Sequence, residues 1–130
     1  MGNSRSTQRP VVFAEDTDFY IDYNGYELLP GITGHYTAFK IVIRYQRYTW
    51  EIKRRFREIE KLDQALLRSF PFLQNSWKPP KYFFSLQEAQ IQERGLDICR
   101  YINSVVNNRS LPVFSHNHLK IFLEVCFALL

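Results

Sequence analysis

The stretch YTWEIKRRFREIEKLDQALLRSF, residues 48–70, contains the point at which this chain changes from strand to helix. Tyr48, Trp50 and Ile52 alternate with polar residues, a pattern that predicts a half-buried strand. The apolar residues of the second part recur at spacings of three and four, as on one face of a helix, and they are Ile59, Leu62, Leu66 and Phe70. Pro71 ends this pattern because proline cannot continue a helix. The stretch therefore predicts a strand followed directly by an amphipathic helix.

Two further strands are predicted before this one. Residues 36–45 alternate in the same way, and two residues separate them from the strand at 48–54, so the two strands should form an antiparallel hairpin. Residues 19–29, which are rich in Tyr, Ile and Leu, predict another strand. The residues that follow it are typical of a bend: Pro30, Gly31 and Gly34.

Two more helices are predicted in the second half of the chain. Residues 85–88, Ser-Leu-Gln-Glu, match a capping box, and apolar residues continue at helical spacing to Val106, before Asn107 and Asn108. Ser115 can cap a last helix, whose apolar residues are Leu119, Phe122, Leu123 and Cys126. Strands followed by helices predict an α+β fold, a small three-stranded antiparallel sheet packed against a helical subdomain of three to four helices.

The composition is that of a single folded, soluble domain. The chain has 130 residues, of which 45% are hydrophobic and 23% charged. No apolar run reaches the roughly 18 residues that a membrane span needs, and the N-terminus lacks a secretory signal. We expect residues 1–16 to form a flexible N-terminal tail and residues 17–130 to form one domain. Cys99 and Cys126 form no CxxC pair, and we expect both to be reduced core residues in a cytosolic protein.

Positive charge is concentrated in one third of the chain. Eleven of the 17 lysines and arginines lie between residues 40 and 81, against four of the 13 acidic residues. Residues 1–39 are acidic instead, and the remainder is balanced. Such a segment is the expected footprint of a partner that is anionic in one place, and phosphate is the obvious candidate.

No catalytic or metal-binding pattern emerges. His116 and His118, at the start of the last predicted helix, are two residues apart and should face different ways, without a matching Cys or carboxylate. No G-x-S-x-G elbow or phosphate-cradling loop of the G-x-x-x-x-G-K-[ST] type is present in the sequence. We therefore predict a protein that is not an enzyme, with no metal and no cofactor.

Three basic motifs occur in a particular order. Arg54-Arg55-Phe56-Arg57 lies where a strand meets a helix, Lys78-Pro79-Pro80-Lys81 lies in the following loop, and Arg94 lies early in the next helix. Together these resemble the phox-homology (PX) domain, whose pattern is a strand ending in Arg-Arg-Tyr/Phe, a helix, a proline-rich loop with a lysine, and an arginine on the following helix. The resemblance extends from about Tyr20 to Leu123.

The resemblance implies binding of phosphoinositide headgroups, most often phosphatidylinositol 3-phosphate. Arg55 would hold the 3-phosphate with support from Arg57, and Phe56 would pack beneath the inositol ring. Lys81 would bind the 1-phosphate. Arg94 would donate hydrogen bonds to the 4- and 5-hydroxyls and so disfavour phosphates there. Arg54 should point to the opposite face from Arg55, because side chains alternate at a strand end, and it is expected to be structural.

The resemblance also implies where the protein works. Tyr82, Phe83 and Phe84 match the loop that such domains insert into the bilayer, although strand alternation would bury one of the two phenylalanines. We expect a cytoplasmic monomer, peripheral on endosomal or vacuolar membranes, that binds phosphoinositides and no nucleic acid. Protein partners would be reached through the rest of a longer chain. Residues 1–6, MGNSRS, match the N-myristoylation pattern, which would attach a weak lipid anchor at Gly2.

Other functions stay open at this stage. The pocket could accept other or several phosphoinositides, because Arg94 alone does not settle the preference. The domain could instead be a protein-interaction module with a vestigial lipid pocket, using residues 77–84 or the hairpin. Lys40, Arg44 and Arg47 on the hairpin could form a second anionic-lipid site or none. Single-stranded nucleic acid ranks low, since the charge converges on a strand-to-helix corner rather than on a sheet face.

Overall fold

A computed structural model describes residues 18–73, 86–111, 113 and 116–125. Three strands come first, β1 (Phe19–Gly31), β2 (Gly34–Tyr45) and β3 (Tyr48–Arg54). They are followed by helix α1 (Phe56–Ser69), a 3-10 turn (Pro71–Leu73), helix α2 (Glu88–Val106) and helix α3 (Asn117–Leu123). The predicted α+β fold, a three-stranded antiparallel sheet with a helical subdomain, is confirmed. No helix in the described ranges is long and apolar enough to cross a membrane.

The sheet has the strand order β1-β2-β3, and both pairs are antiparallel. Ile41 pairs with Ile52, and Ile43 pairs with Trp50, so the alternating residues of the hairpin point to the same face. Ile41, Ile43 and Ile52 are at most 1% exposed, which identifies this face as the core side. The β1–β2 register shifts between Tyr23 and Tyr26, a bulge at which Gly25 adopts a φ of +83°. The alternation in the sequence thus correctly predicts which face of the sheet is buried.

Helix α2 packs closely on β1. Gly95 is buried, and a Cβ atom at that position would lie 2.5 Å from Tyr23 Cζ, far inside contact distance. The Tyr23 hydroxyl donates a hydrogen bond to Gln92 on the same helix, and burial raises the pKa of Tyr23 to about 12. The end of α2 is fixed to the start of β1 by Asn107, which accepts from Phe19 N–H at 2.8 Å and donates to its carbonyl at 3.0 Å.

Both caps predicted for the later helices are wrong. Helix α2 begins at Glu88, not after Ser85, because Gln87 is its N-cap and Gln90 reaches back to accept from the Gln87 N–H at 2.9 Å. Helix α3 is capped by His116 and not by Ser115, since the His116 ring nitrogen Nδ1 accepts from Leu119 N–H. Ser85 and Ser115 themselves lie outside the described residues.

Helix α3 is short and is held by side chains of β3. Trp50 Nε1 donates to the carbonyl of Leu123 at 2.8 Å. Glu124, directly after the helix, has a left-handed backbone with a φ of 57°, so α3 ends at Leu123. The predicted extension to Cys126 lies outside the described residues. The last helix therefore depends on the sheet for its position.

One of the two cysteines predicted to lie in the core is among the described residues. Cys99 on α2 is buried, and burial raises its pKa to about 12, so the thiol stays protonated and unreactive at neutral pH. Cys126 lies outside the described residues, as does the predicted tail with Gly2. The helical layer also contains one buried polar pair, in which the Tyr101 hydroxyl donates to Asp63 at 2.8 Å. Burial raises the pKa of that Asp63 carboxyl.

Candidate anion-binding site

The junction of β3 and α1 directs successive arginines to different surroundings. Arg55 is the N-cap of α1 and has an extended backbone, with φ −84° and ψ 156°. Its N–H donates to Glu58 Oε1 at 2.8 Å, and its carbonyl accepts from the Glu58 N–H at 3.0 Å. The backbone therefore changes from strand to helix at Arg55, whose half-buried side chain lies at the start of the helix.

Arg54 faces the helical subdomain. Its guanidinium donates to the carbonyl of Phe122 through Nε at 3.1 Å and to Glu124 Oε2 at 2.9 Å, and it lies over the Phe122 ring at 5.1 Å. The side chain is only 13% exposed. The prediction that Arg54 is structural is thus confirmed.

Arg55 faces a groove on the other side of the junction. Its guanidinium carbon lies 4.1 Å from the centroid of the Tyr36 ring, which is the distance of a stacked cation–π contact. This groove, which we call the β2–α1 groove, has a volume of about 310 Å³. Its lining residues come from all three strands and from the first turns of α1, and they are Leu29, Tyr36, Ala38, Lys53, Arg55, Arg57, Glu58 and Lys61.

Arg94 lies over a second aromatic ring. Its guanidinium carbon is 3.8 Å from the centroid of Phe56, the first residue of α1. Arg94 is on the second turn of α2, one residue before the closely packed Gly95. One face of Phe56 is therefore covered by Arg94, so the two predicted residues contact each other and connect α1 with α2.

The β2–α1 groove carries excess positive charge. Lys53, Arg55, Arg57 and Lys61 line it together with a single acidic residue, Glu58. Lys53 is also bound to Glu27 at 2.9 Å, and this hydrogen bond and charge raise the pKa of Lys53. Arg57 and Lys61 are exposed, and neither has an ion pair with any residue in the part of the chain that the structure describes. The groove is thus suited to a strongly anionic group.

The predicted site residues are only partly covered by the structure. Arg55 and Arg57 share the β2–α1 groove, whereas Phe56 and Arg94 form the neighbouring stack. Lys81 and the three aromatic residues predicted to enter the bilayer, Tyr82, Phe83 and Phe84, lie outside the described residues.

Six of the eight residues that line the groove were not identified from the sequence, and three of them add to its cationic character. Tyr36 supports Arg55, and Lys53 and Lys61 add charge. The position of Lys61, one turn after Arg57 on α1, was a usable signal because residues four apart lie on the same face of a helix. Tyr36 carried no such signal, since its contact with Arg55 depends on the way the start of β2 passes the end of β3.

The two histidines are neighbours and not divergent as predicted. The rings of His116 and His118 have centroids 5.6 Å apart, and His116 also lies 5.5 Å from the Phe70 ring. Burial and the proximity of His118 lower the pKa of His116, which favours the neutral ring that caps α3. Within the described ranges no group of three His, Cys, Asp or Glu residues could hold a metal ion.

Comparison with known proteins identifies the family. The family model for the PX domain matches residues 43–126. The chain therefore belongs to the PX domain family, whose members are generally non-catalytic, phosphoinositide-binding modules that target membranes. No curated protein matches the chain in sequence.

Solved structures share the fold. A designed CISK-PX domain superposes with a TM-score of 0.65 at 22% identity, over 84% of this chain and 97% of that one. The mouse SNX19 PX domain, solved with a bound sulphate ion, gives a TM-score of 0.60 at 18% identity, over 82% of this chain and 95% of that one. At these identities the likeness concerns the fold alone.

Proposed function

We propose that this PX domain binds phosphatidylinositol 3-phosphate and places its protein peripherally on endosomal membranes. The observation that carries the proposal is the position of Arg55, stacked on Tyr36 in an open cationic groove at the start of α1. Arg57 lines the same groove and directly precedes Glu58, whose carboxylate accepts the Arg55 N–H.

Arg55 is suited to the phosphate that determines specificity. A guanidinium offers two parallel N–H donors to a phosphomonoester, whereas a lysine offers a point charge. Stacking on Tyr36 restricts the guanidinium plane, so less side-chain freedom is lost on binding. The N-terminus of α1 adds a favourable partial positive charge next to the bound dianion.

Arg94 is assigned to the hydroxyls of the inositol ring. Its stacking on Phe56 holds the guanidinium beside the Arg55 end of α1, where a ring bound through its 3-phosphate would lie. Donors that match hydroxyls leave no room for further phosphates at those positions. Phe56 would then support the ring indirectly through Arg94 as well as by its own edge. Lys81 keeps its assignment to the 1-phosphate.

The membrane-facing part of the domain is assigned to apolar residues near the groove. Ile32, in the β1–β2 turn, is fully exposed, and Leu28 is 59% exposed. Leu29, which lines the groove, lies between them in sequence. Together with Tyr82, Phe83 and Phe84, these side chains would enter the bilayer, where each buried apolar residue contributes roughly 1.5–3 kcal/mol. Insertion would therefore strengthen a headgroup contact of micromolar affinity, which corresponds to about −8 kcal/mol.

Liposome co-sedimentation against the full set of phosphoinositides tests the proposal. The wild type is compared with Arg55→Ala and Arg94→Ala at two salt concentrations, and Arg68→Ala serves as a control because Arg68 is exposed on α1 but does not line the groove. We expect selective binding of phosphatidylinositol 3-phosphate that is lost in the first two variants and kept in the control.

Other outcomes point to the alternatives. Binding that follows total lipid charge and survives Arg55→Ala would contradict a specific pocket. Retained binding in Arg94→Ala, with other phosphoinositides also bound, would contradict the expected loss and would limit Arg94 to excluding them. A domain that binds no phosphoinositide and still associates with a protein partner would be an interaction module with a vestigial pocket.

A further inference from the structure

A second groove lies between α1 and α3. Phe122 at the end of α3 lines it together with Glu58 at the start of α1. His116, directly before α3, lies with Nε2 3.4 Å from Ser69 Oγ at the end of α1, so the two helices are antiparallel. This α1–α3 groove has a volume of about 340 Å³, and the function proposed above does not use it. Its lining residues are Arg54, Glu58, Lys61, Leu62, His118, Ile121 and Phe122.

The α1–α3 groove exposes apolar surface. Leu62 and Phe122 line it and are themselves nearly buried, whereas Ile121 beside them is 74% exposed. Covering such a side chain removes apolar area from water and is favourable. A cavity of about 150 Å³ is enough to hold a benzene ring, so the groove has room for about two large apolar side chains.

The charges at the α1–α3 groove require no ionic partner. Among its described lining residues, three carry a full charge, and two of these are already bonded within the protein. Arg54 binds Glu124 at 2.9 Å, and Glu58 accepts the Arg55 N–H at 2.8 Å. Lys61 is exposed and can keep its ammonium in water while its methylene stem lies along apolar surface. An apolar occupant without charged side chains therefore suits the groove.

The chain supplies such an occupant directly after α3. The described residues end at Val125, which is 4% exposed, so the segment that follows begins at the core. Residues 126–130, Cys-Phe-Ala-Leu-Leu, contain three large apolar residues and no charged side chain. The left-handed backbone of Glu124 changes the direction of the chain at the end of α3. Five extended residues span about 17 Å and the seven residues of α3 about 10 Å, so the segment can return along the whole helix.

We propose that residues 126–130 fold back into the α1–α3 groove, with Phe127 packed against Leu62 and Ile121. The segment covers Ile121 and adds apolar contact between α3 and α1. Glu58 and Lys61 line both grooves, so the segment borders the site proposed for the phosphoinositide without occupying it. The inference therefore does not depend on the proposed function.

Photo-crosslinking of the full chain tests where Phe127 lies. Benzoylphenylalanine replaces Phe127 in one protein and Tyr20 in a matched control, because Tyr20 is 55% exposed on β1 and does not line the groove. Trypsin releases residues 62–68 of α1 as one peptide, between Lys61 and Arg68. We expect the probe at position 127 to crosslink to this peptide within one molecule, and the control probe not to do so.

Other crosslinks overturn the proposal. A probe at position 127 that reacts with a different part of the chain places the segment outside the groove. Crosslinks that join two molecules, seen as a doubled mass, identify a second copy as the occupant instead.

Thermal unfolding of full-chain variants tests the contact itself. In an open groove, Ile121→Ala should leave the unfolding midpoint nearly unchanged, because the side chain is 74% exposed. Under the proposal, Ile121→Ala and Phe127→Ala should each lower the midpoint by at least about 3 °C. The double variant should lose less than the sum of the two, because both changes remove the same contact. Ile32→Ala, fully exposed in the β1–β2 turn, is the control and should have no effect.

Two results of the unfolding measurements contradict the proposal. An unchanged midpoint in Ile121→Ala shows that the groove is open. Losses that are strictly additive in the double variant show that Phe127 packs elsewhere.

Discussion

Arg54 and Arg55 are adjacent and chemically identical, yet they lie in opposite environments. Arg54 is nearly buried, donates to the end of α3 and lies over Phe122, whereas Arg55 lies over Tyr36 in an open groove. Both guanidinium groups stack on an aromatic ring. The difference is that the hydrogen-bond donors of Arg54 are used by the protein itself, while those of Arg55 face a space that a ligand can enter. Strand alternation at one junction thus separates a cation that is bonded within the protein from one that faces an open groove.

The largest effect expected is on the ligand-binding side. Arg55→Ala should weaken binding of phosphatidylinositol 3-phosphate at least 100-fold, because it removes a bidentate, charge-assisted contact. The free energy of unfolding should change by less than about 1 kcal/mol, because the half-buried side chain loses only its stacking on Tyr36. Arg55→Lys should restore only part of the affinity. A vesicle titration and a urea denaturation curve check both halves, and a large loss of stability would contradict the assignment.

Arg54→Ala should have the reverse profile. The carbonyl of Phe122 and the carboxylate of Glu124 lose their donor, so we expect the free energy of unfolding to fall by about 2 kcal/mol. The folded fraction should still bind the lipid within about twofold. Urea denaturation measures the first quantity, and titration at a temperature where the variant is folded measures the second. Loss of binding in a fully folded Arg54→Ala protein would show that Arg54 is not purely structural.

The second anchor of α3 should contribute less. Trp50→Phe keeps an aromatic ring in place but removes the Nε1–H bond to the Leu123 carbonyl, and we expect a cost of about 1 kcal/mol. Thermal unfolding followed by circular dichroism checks the expectation. In the double variant with Arg54→Ala, the loss in the free energy of unfolding should differ from the sum of the two single losses, because both residues hold the same short helix. Strict additivity would indicate that α3 is held elsewhere.

The smallest effect expected depends on pH. The pKa of His116 is lowered in the folded protein, so its contribution to stability is complete above the unfolded pKa of about 6.5 and is lost as the pH falls through the folded value. His116→Asn keeps a capping acceptor that does not titrate. We expect the wild type to lose a few tenths of a kcal/mol relative to this variant between pH 7 and pH 5. Parallel stability curves over that range would argue against the cap.

Much of the fold could be predicted because it follows from periodicity. The alternation at residues 36–45 and the helical spacing from Ile59 to Phe70 were sufficient to place the hairpin and α1. The helix caps were not predictable from serine alone. Gln90 reaches back to Gln87 and the His116 ring caps α3, and both side chains can accept a hydrogen bond in place of a hydroxyl.

The residues of the candidate site could be predicted from their positions in the sequence, but the contacts between residues of different elements could not. Arg55 and Arg57 were identified at the strand-to-helix junction, and Arg94 from its place on the next helix. The contact of Arg94 with Phe56 depends on how α1 and α2 pack, and that of Arg55 with Tyr36 depends on the sheet. No local sequence pattern predicts either of these two cation–π contacts.

Gly95 determines how closely α2 approaches the sheet next to the candidate site. The separation between α2 and the sheet is set by the thickness of one tyrosine ring, because Tyr23 occupies the space that any side chain at position 95 would need. Arg94 is the preceding residue, so a bulkier residue at 95 would lift the helix and move the guanidinium away from Phe56. If Arg94 contacts the inositol ring as proposed, a substitution in the core at position 95 should alter headgroup selectivity although it touches no lipid.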